Sequence, residues 1–101
     1  MAAFVRLAFA GGWDARDDFE APRKGWRDAH VELDDGSRYR VTFYDVVRLA
    51  QTLEDERRAG RAFLGEPGLI VLDEVTRSKM EDAAARLARE GFFDSLRPIE
   101  P

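Results

Sequence analysis

Hydrophobic and polar residues alternate at the start of the chain, in roughly residues 3–10. Val5, Leu7 and Phe9 are separated by single charged or small residues, and two glycines follow the segment. A period of two is typical of a β-strand that buries one face. The pattern therefore predicts a first strand near the N-terminus.

Two further alternating segments lie within residues 29–44, on either side of the turn sequence Asp34-Asp35-Gly36. Alternation around such a turn is typical of a β-hairpin. We therefore predict a second and a third strand that pair antiparallel.

The length of the loop decides which side chains of this hairpin share a face. A two-residue loop would place Leu33 opposite Arg38 and mix apolar with charged side chains on both faces. A three-residue loop pairs Leu33 with Ser37 and leaves one continuous apolar face, because a slip of one residue inverts every side chain. It also fits a type I turn followed by Gly36 in the left-handed conformation. We predict the three-residue loop.

Residues 13–25 have no clear periodicity and carry charges, a proline and two isolated aromatic residues, Trp13 and Phe19. We interpret about 11–25 as an irregular connection with at most a short helical turn. Connections of this length are uncommon in compact domains and are often functional. The simpler alternative is a loop whose aromatic side chains pack onto the core.

A first helix is predicted directly after the hairpin. Asp45 is a suitable N-cap and Gly60 a suitable C-terminal stop. The apolar stripe has helical spacing and consists of Val46, Leu49, Ala50 and Leu53.

The run Leu69-Ile70-Val71-Leu72 has no polar position and follows a Pro-Gly turn signal. Such a run is typical of a strand that is buried on both faces. We therefore expect it to form the most buried strand, with a neighbouring strand on each side.

A second helix is predicted to begin with a capping box formed by Ser78 and Glu81. Gly91 ends this helix, and the aromatic residues that follow it are expected to fold back onto the core. The apolar stripe of the helix consists of Met80, Ala83, Ala84, Leu87 and Ala88.

The predicted order of elements is β-β-β-α-β-α, which places the chain in the α+β class. We expect a two-layer sandwich with a mixed four-stranded sheet and both helices on one face, because the last strand returns parallel to the third. A length of 101 residues suits one domain. Residues 1–101 are therefore taken as a single α+β domain, with the irregular connection at about 11–25 and a short tail at about 97–101.

The predicted hairpin register also turns one set of side chains away from the core. Two helices on the other side would leave this face open to solvent, and aromatic residues with arginines are frequent in binding hot spots. The predicted partner-binding residues are Trp26, His30, Glu32, Arg38, Arg40 and Tyr44. The alternatives are a solvated face with ordinary cross-strand pairs, or a face that segment 13–25 covers.

The residue types needed for several chemistries are scarce. The absence of cysteine excludes disulfides, thiol nucleophiles and cysteine metal sites. His30 is the single histidine, and no glycine-rich phosphate-binding motif occurs. The Asp34-Asp35-Gly36 sequence lacks the later carboxylates of a calcium loop. We therefore expect a protein without catalytic residues, without a cofactor and without a metal site, which is not an enzyme.

The charges are 16 Lys and Arg against 20 Asp and Glu, which gives a net charge of −4. Much of the excess lies in residues 66–76, which contain Glu66, Asp73 and Glu74 and no basic residue. Nucleic acids and anionic membranes require clustered Lys and Arg, so both are disfavoured as partners. The first ten residues resemble a signal peptide only faintly, because Arg6 interrupts the apolar stretch. We therefore expect a cytoplasmic location and no membrane association.

These features favour a small acidic cytosolic binding module that acts by protein–protein surface complementarity. Inhibitors, antitoxins, immunity proteins and adaptors are of this type. The expected partner is a protein, with a basic one favoured, or a second copy of the chain. The first alternative is a homodimerising structural module. The second is a nucleic-acid-binding domain that uses the open sheet face.

Overall fold

The computed structural model describes residues 2–100, so that Met1 and Pro101, the ends of the predicted domain, lie outside the described residues. The elements in chain order are β1 (Phe4–Ala8), α1 (Ala15–Lys24), β2 (Trp26–Leu33), β3 (Arg38–Asp45), α2 (Val46–Arg58), β4 (Leu69–Leu72), α3 (Arg77–Arg89) and a 3₁₀ turn, Phe92–Ser95. The four strands form one sheet in the order β1-β2-β3-β4. The first three strands are antiparallel, and β4 is parallel to β3. The predicted α+β class and mixed four-stranded sheet are confirmed.

The hydrophobic core lies between one face of the sheet and α3. From the sheet, Val31, Val41 and Phe43 are fully buried, and from α3, Met80 and Ala84 are fully buried. The 3₁₀ turn folds back as predicted, since Phe93 is buried and its ring lies 5.3 Å from that of Tyr39.

The hairpin between β2 and β3 has the predicted three-residue loop. The amide of Leu33 donates a hydrogen bond to the carbonyl of Ser37 at 3.0 Å, and Gly36 N–H donates to the carbonyl of Leu33 at 3.0 Å. Gly36 has a φ of +86°, in the left-handed region. The local pattern was therefore sufficient to predict the register of the whole hairpin.

The irregular connection predicted at about 11–25 is wrong, because most of this segment is the helix α1. The Asp14 carboxylate caps α1 by accepting from the amides of Arg16 and Asp17, and the Asp17 carboxylate accepts from the amide of Asp14. Ala21 contributes to the core, and Arg27 of β2 pairs with Asp17 at 2.7 Å. Residues 2–100 therefore form three α-helices. A capping box and these tertiary contacts stabilise α1, which has no long apolar stripe.

The predicted central position of β4 is also wrong, because β4 is the edge strand of the sheet. Ile70 is 6% exposed and faces the core, whereas Val71 is 44% exposed on the other side of the strand. The apolar run therefore has one buried and one open face, since no helix of the core layer lies on its second side.

The two helices that were predicted from the sequence begin at different kinds of cap. The Asp45 carboxylate accepts from the amide of Arg48 at 2.7 Å and caps α2 as predicted. The cap of α3 is Thr76, whose hydroxyl accepts from the amide of Lys79, so the helix begins before the predicted Ser78. The first turn of α3 therefore includes residues that were assigned to its cap.

The N-terminal strand departs from regular alternation. The pairing of β1 with β2 shifts between Phe4 and Arg6, which leaves Val5 exposed while Leu7 remains in the core. An extra residue in one strand of a pair is a β-bulge and reverses the side-chain pattern beyond it.

Candidate protein-binding surfaces

The six residues that were predicted to bind a partner lie on one face of the sheet. Side chains alternate along a strand, so these residues lie opposite the buried Ala29, Val31 and Val41. The observed cross-strand pairs are Trp26–Tyr44, Asp28–Thr42, His30–Arg40 and Glu32–Arg38. The structure therefore brings the predicted residues together on what we call the open face, and their role in binding stays a prediction.

Tyr44 does not belong to the accessible part of the open face. It is 9% exposed, and its hydroxyl donates a hydrogen bond to the Glu66 carboxylate at 2.9 Å. Burial, followed by the hydrogen bond with Glu66, raises the pKa of Tyr44 to about 12. The expectation of an exposed tyrosine is therefore wrong, and Tyr44 has a structural role that joins β3 to the turn before β4.

The raised pKa of Tyr44 predicts a specific loss of stability in alkali. A folded-state pKa above the ordinary value of about 10 stabilises the fold below that pH, and this contribution is lost as the pH rises to about 12. Ultraviolet absorbance of a Tyr39→Phe variant, in which Tyr44 is the remaining tyrosine, should show ionisation near pH 12. Ionisation near pH 10, as in a solvated tyrosine, would contradict the burial of this side chain.

The matching denaturation experiment uses Tyr44→Phe, which keeps the ring and removes the hydroxyl. We expect a loss of about 1 kcal/mol in unfolding free energy at neutral pH, the usual net contribution of one hydrogen bond. Between about pH 9 and about pH 11 the variant should lose less stability than the parent protein, because it no longer contains this titrating group. Equal losses in the two proteins would contradict the assignment.

Trp26 is half-buried at the same end of the open face. The Arg48 guanidinium of α2 lies over its ring, with the central carbon 5.7 Å from the ring centroid. Trp13 packs on Phe9 at 4.7 Å, and the exposed Phe19 lies under Arg23 on α1. Neither aromatic ring of the 13–25 segment therefore covers Trp26, which contacts α2 instead.

The other end of the open face is charged. The Glu32 carboxylate accepts two hydrogen bonds from the Arg6 guanidinium, and these bonds hold the pKa of Glu32 below its usual value. Among residues 2–100, neither Arg38 nor Arg40 forms an ion pair within 4.0 Å. His30 lies between these groups on β2 and is half-buried. The charged end therefore brings the exposed Arg40 together with the half-buried Arg38 and His30.

The hydrogen bonds of the Asp34-Asp35-Gly36 loop serve the turn itself. The Asp35 carboxylate accepts from the hydroxyl of Ser37 and from its backbone amide at 2.9 Å, and these two hydrogen bonds lower the pKa of Asp35. Within the part of the chain that the structure describes, no three His, Cys, Asp or Glu side chains are grouped so as to hold a metal ion.

A second group of exposed side chains is apolar and was not predicted. Among residues 2–100, seven large hydrophobic side chains are exposed, and five of them lie in the continuous segment 46–71. We call these five the α2–β4 surface: Val46, Val47, Leu53, Phe63 and Val71. No side chain of α2 is buried, and none belongs to the core cluster. The helix therefore packs weakly and leaves most of its apolar side chains in solvent.

The orientation of α2 explains this exposure. Its half-buried side chains, which mark the inner face of the helix, are Arg48, Leu49, Thr52 and Glu56. With about 100° per residue, Leu53, Val46 and Ala50 lie about 85°, about 105° and about 145° around the helix axis from the centre of that face. Arg48 reaches towards Trp26 on β2, so Val46, Ala50 and Leu53 lie on the opposite flank of the helix. The face that contacts the domain is thus largely polar, with Leu49 as its one large apolar side chain, while Val46, Ala50 and Leu53 are exposed.

Sequence reasoning missed this surface because it assumed that an apolar stripe faces the core. One signal was present: Val46 and Val47 are adjacent and lie on different sides of the helix, so a single core contact does not bury both.

Comparisons with known proteins give no match, whether with family models, with curated proteins or with solved structures. Among residues 2–100, no helix is both long enough and apolar enough to cross a membrane. Inference about function therefore rests on the open face and the α2–β4 surface.

Proposed function

We propose that this protein is a small acidic cytosolic module that binds a protein partner by surface complementarity, as inhibitors, antitoxins, immunity proteins and adaptors do. The observation that carries the proposal is the α2–β4 surface, where five exposed large apolar side chains lie in one segment. Concentrations of exposed apolar side chains mark interaction sites on soluble proteins.

The exposed apolar side chains of α2 lie outside the hydrophobic core. The core cluster is formed by residues of the sheet, α1, α3 and the 3₁₀ turn together with Val75, without any residue of α2. Burial of one Val or Leu side chain against a partner would contribute roughly 1.5–3 kcal/mol. Several such side chains together would provide the apolar centre of an interface, which the proposal assigns to them.

The charge distribution favours a basic partner. The net charge is −4, and the carboxylates of Glu66, Asp73 and Glu74 lie close to β4 in the sequence. Complementary charge around an apolar centre accelerates association and selects among partners. The open face is retained as a second proposed contact region, since Arg48 connects α2 with Trp26.

Site-specific photo-cross-linking in the native cell tests the proposal. A benzophenone amino acid at Val46 or at Leu53 should form an adduct of one defined mass with a protein partner. The matched control position is Arg86, which is exposed on α3 and lies outside the α2–β4 surface. Adducts that form equally at all three positions, or at none, would contradict the proposal.

The mass of the isolated protein in solution distinguishes this proposal from the homodimerising alternative. Light scattering should give the mass of a single chain, 11.5 kDa, at micromolar concentration. A mass of twice this value that returns to that of one chain in Leu53→Lys would identify a second copy as the occupant of the surface.

A further inference from the structure

The outer edge of β4 is unpaired among the described residues. The amide of Thr42 donates to the carbonyl of Gly68 at 3.1 Å, and Thr42 lies opposite Leu69 in the parallel register. The backbone groups of successive residues in a strand point to opposite sides. The backbone N–H and C=O groups of Ile70 and Leu72 therefore point towards β3, as the carbonyl of Gly68 does. The backbone N–H and C=O groups of Leu69 and Val71 therefore point away from the sheet.

The side chains around this edge define what would fit there. Val71 is 44% exposed beside the unpaired backbone groups. Glu66 precedes the strand, and Asp73 and Glu74 follow it directly. Lys79 is shared by the last two carboxylates, at 2.9 Å from Asp73 and 3.9 Å from Glu74. Among residues 2–100, Lys79 is the only cation within 4.0 Å of these three carboxylates, although Arg40 and Arg97 line the same pocket as Glu66. Carboxylates without an ion pair therefore remain at both ends of the edge strand.

We propose that β4 pairs with an extended segment of the partner protein that has basic residues at both ends and adds a fifth strand to the sheet. Backbone hydrogen bonds to Leu69 and Val71 give such a segment its affinity, and an apolar side chain beside Val71 adds to it. The acidic ends of β4 select basic residues on the added strand. The inference rests on the proposed function and names the kind of partner segment that this surface accepts.

A second copy of the chain is a poorer occupant of the same edge. Two β4 strands that pair antiparallel about a two-fold axis at Ile70 would place Glu66 of one copy opposite Glu74 of the other, at both ends. Like charges directly opposite each other destabilise a strand pair. The charge pattern of β4 thus disfavours self-pairing and favours a basic strand.

The test uses a short synthetic peptide of alternating valine and threonine with a pair of lysines at each end. The control peptide carries glutamates in place of the lysines. Binding is measured by isothermal calorimetry, and amide exchange of Leu69 and Val71 is followed by NMR. We expect the lysine peptide to bind and to slow the exchange of these two amides, and the glutamate peptide to do neither.

Val71→Pro removes an outward-pointing N–H and should weaken peptide binding about tenfold while the fold is kept, because proline is accepted where an edge N–H faces solvent. The fold is checked by circular dichroism. Asp73→Asn combined with Glu74→Gln keeps the backbone unchanged and should weaken binding of the lysine peptide several-fold, with a smaller dependence on salt. This second variant tests the proposal on its own if Val71→Pro fails to fold.

Equal affinity for the two peptides, or unchanged binding by the variants, would overturn the proposal. Slow exchange of Val71 in the free protein that disappears on dilution would overturn it in favour of a second copy. The proposed function is tested independently, because its evidence is the cross-linking from α2 and not the binding of the peptide. Cross-links from Val46 and Leu53 together with a negative peptide test would leave a binding module without strand addition.

Discussion

Replacement of Phe43 by alanine is expected to lower the free energy of unfolding by about 3–5 kcal/mol. Phe43 is fully buried in β3, between β2 and β4, and belongs to the core cluster. The loss of the Phe43 ring would leave a cavity between the sheet and α3. The surrounding side chains can fill only part of this cavity, so most of the lost packing is not recovered. Because domains are stable by only about 5–15 kcal/mol, the effect is a large share of the total.

Urea denaturation followed by circular dichroism measures this change, and Val47→Ala is its control. Val47 is 67% exposed on α2, and its truncation should alter the unfolding free energy by less than about 0.5 kcal/mol. A large loss in the control would show that α2 packs on the domain more tightly than the structure indicates. A small loss for Phe43→Ala would contradict its central place in the core.

The second large effect is expected for Gly68→Ala, at the turn that leads into β4. Gly68 has a φ of +76°, and a Cβ atom there would overlap the backbone carbonyl oxygen of Arg40 and lie 3.2 Å from the Cα of Val41. Both neighbours are backbone atoms of β3, so they cannot rotate away. Strain of the left-handed conformation together with this overlap should cost roughly 2–4 kcal/mol.

Gly36→Ala is the matched control, because Gly36 has a similar φ of +86° and a Cβ atom there would meet no other atom within 4 Å. It should cost only about 1 kcal/mol, the strain of the left-handed conformation alone. The difference between the two variants in urea denaturation therefore isolates the close approach of Gly68 to β3. Equal losses would show that the turn moves freely and that β4 is not held tightly against β3.

The hairpin, the class of the fold and the mixed character of its sheet could be predicted from the sequence alone. The hairpin register depends on the turn Asp34-Asp35-Gly36 and on alternation next to it, and both are local properties. The six predicted open-face residues share a face for the same reason, since a fixed register determines the side of every side chain.

The helix α1 was within reach of sequence analysis but was missed. Asp14 and Asp17 form a capping box without Ser, Thr or Glu, and Gly25 ends the helix in the left-handed conformation. The segment contains a proline, Pro22, and buries only one side chain, that of Ala21. Its sequence has no long apolar stripe at helical spacing. Only the capping residues at its two ends indicated a helix. A long apolar stripe at helical spacing, which is usually the stronger signal, was absent.

Only the tertiary structure decided which apolar and aromatic side chains are buried between Tyr44 and the end of β4. The sequence determined that β4 is apolar and α2 amphipathic, because these are properties of neighbouring residues. The sequence did not determine that Val71 lies at an open edge, that Leu53 is exposed or that Tyr44 is buried beside Glu66. Burial depends on where the other elements lie, and the strand order together with the orientation of α2 follows from contacts between residues far apart in the chain.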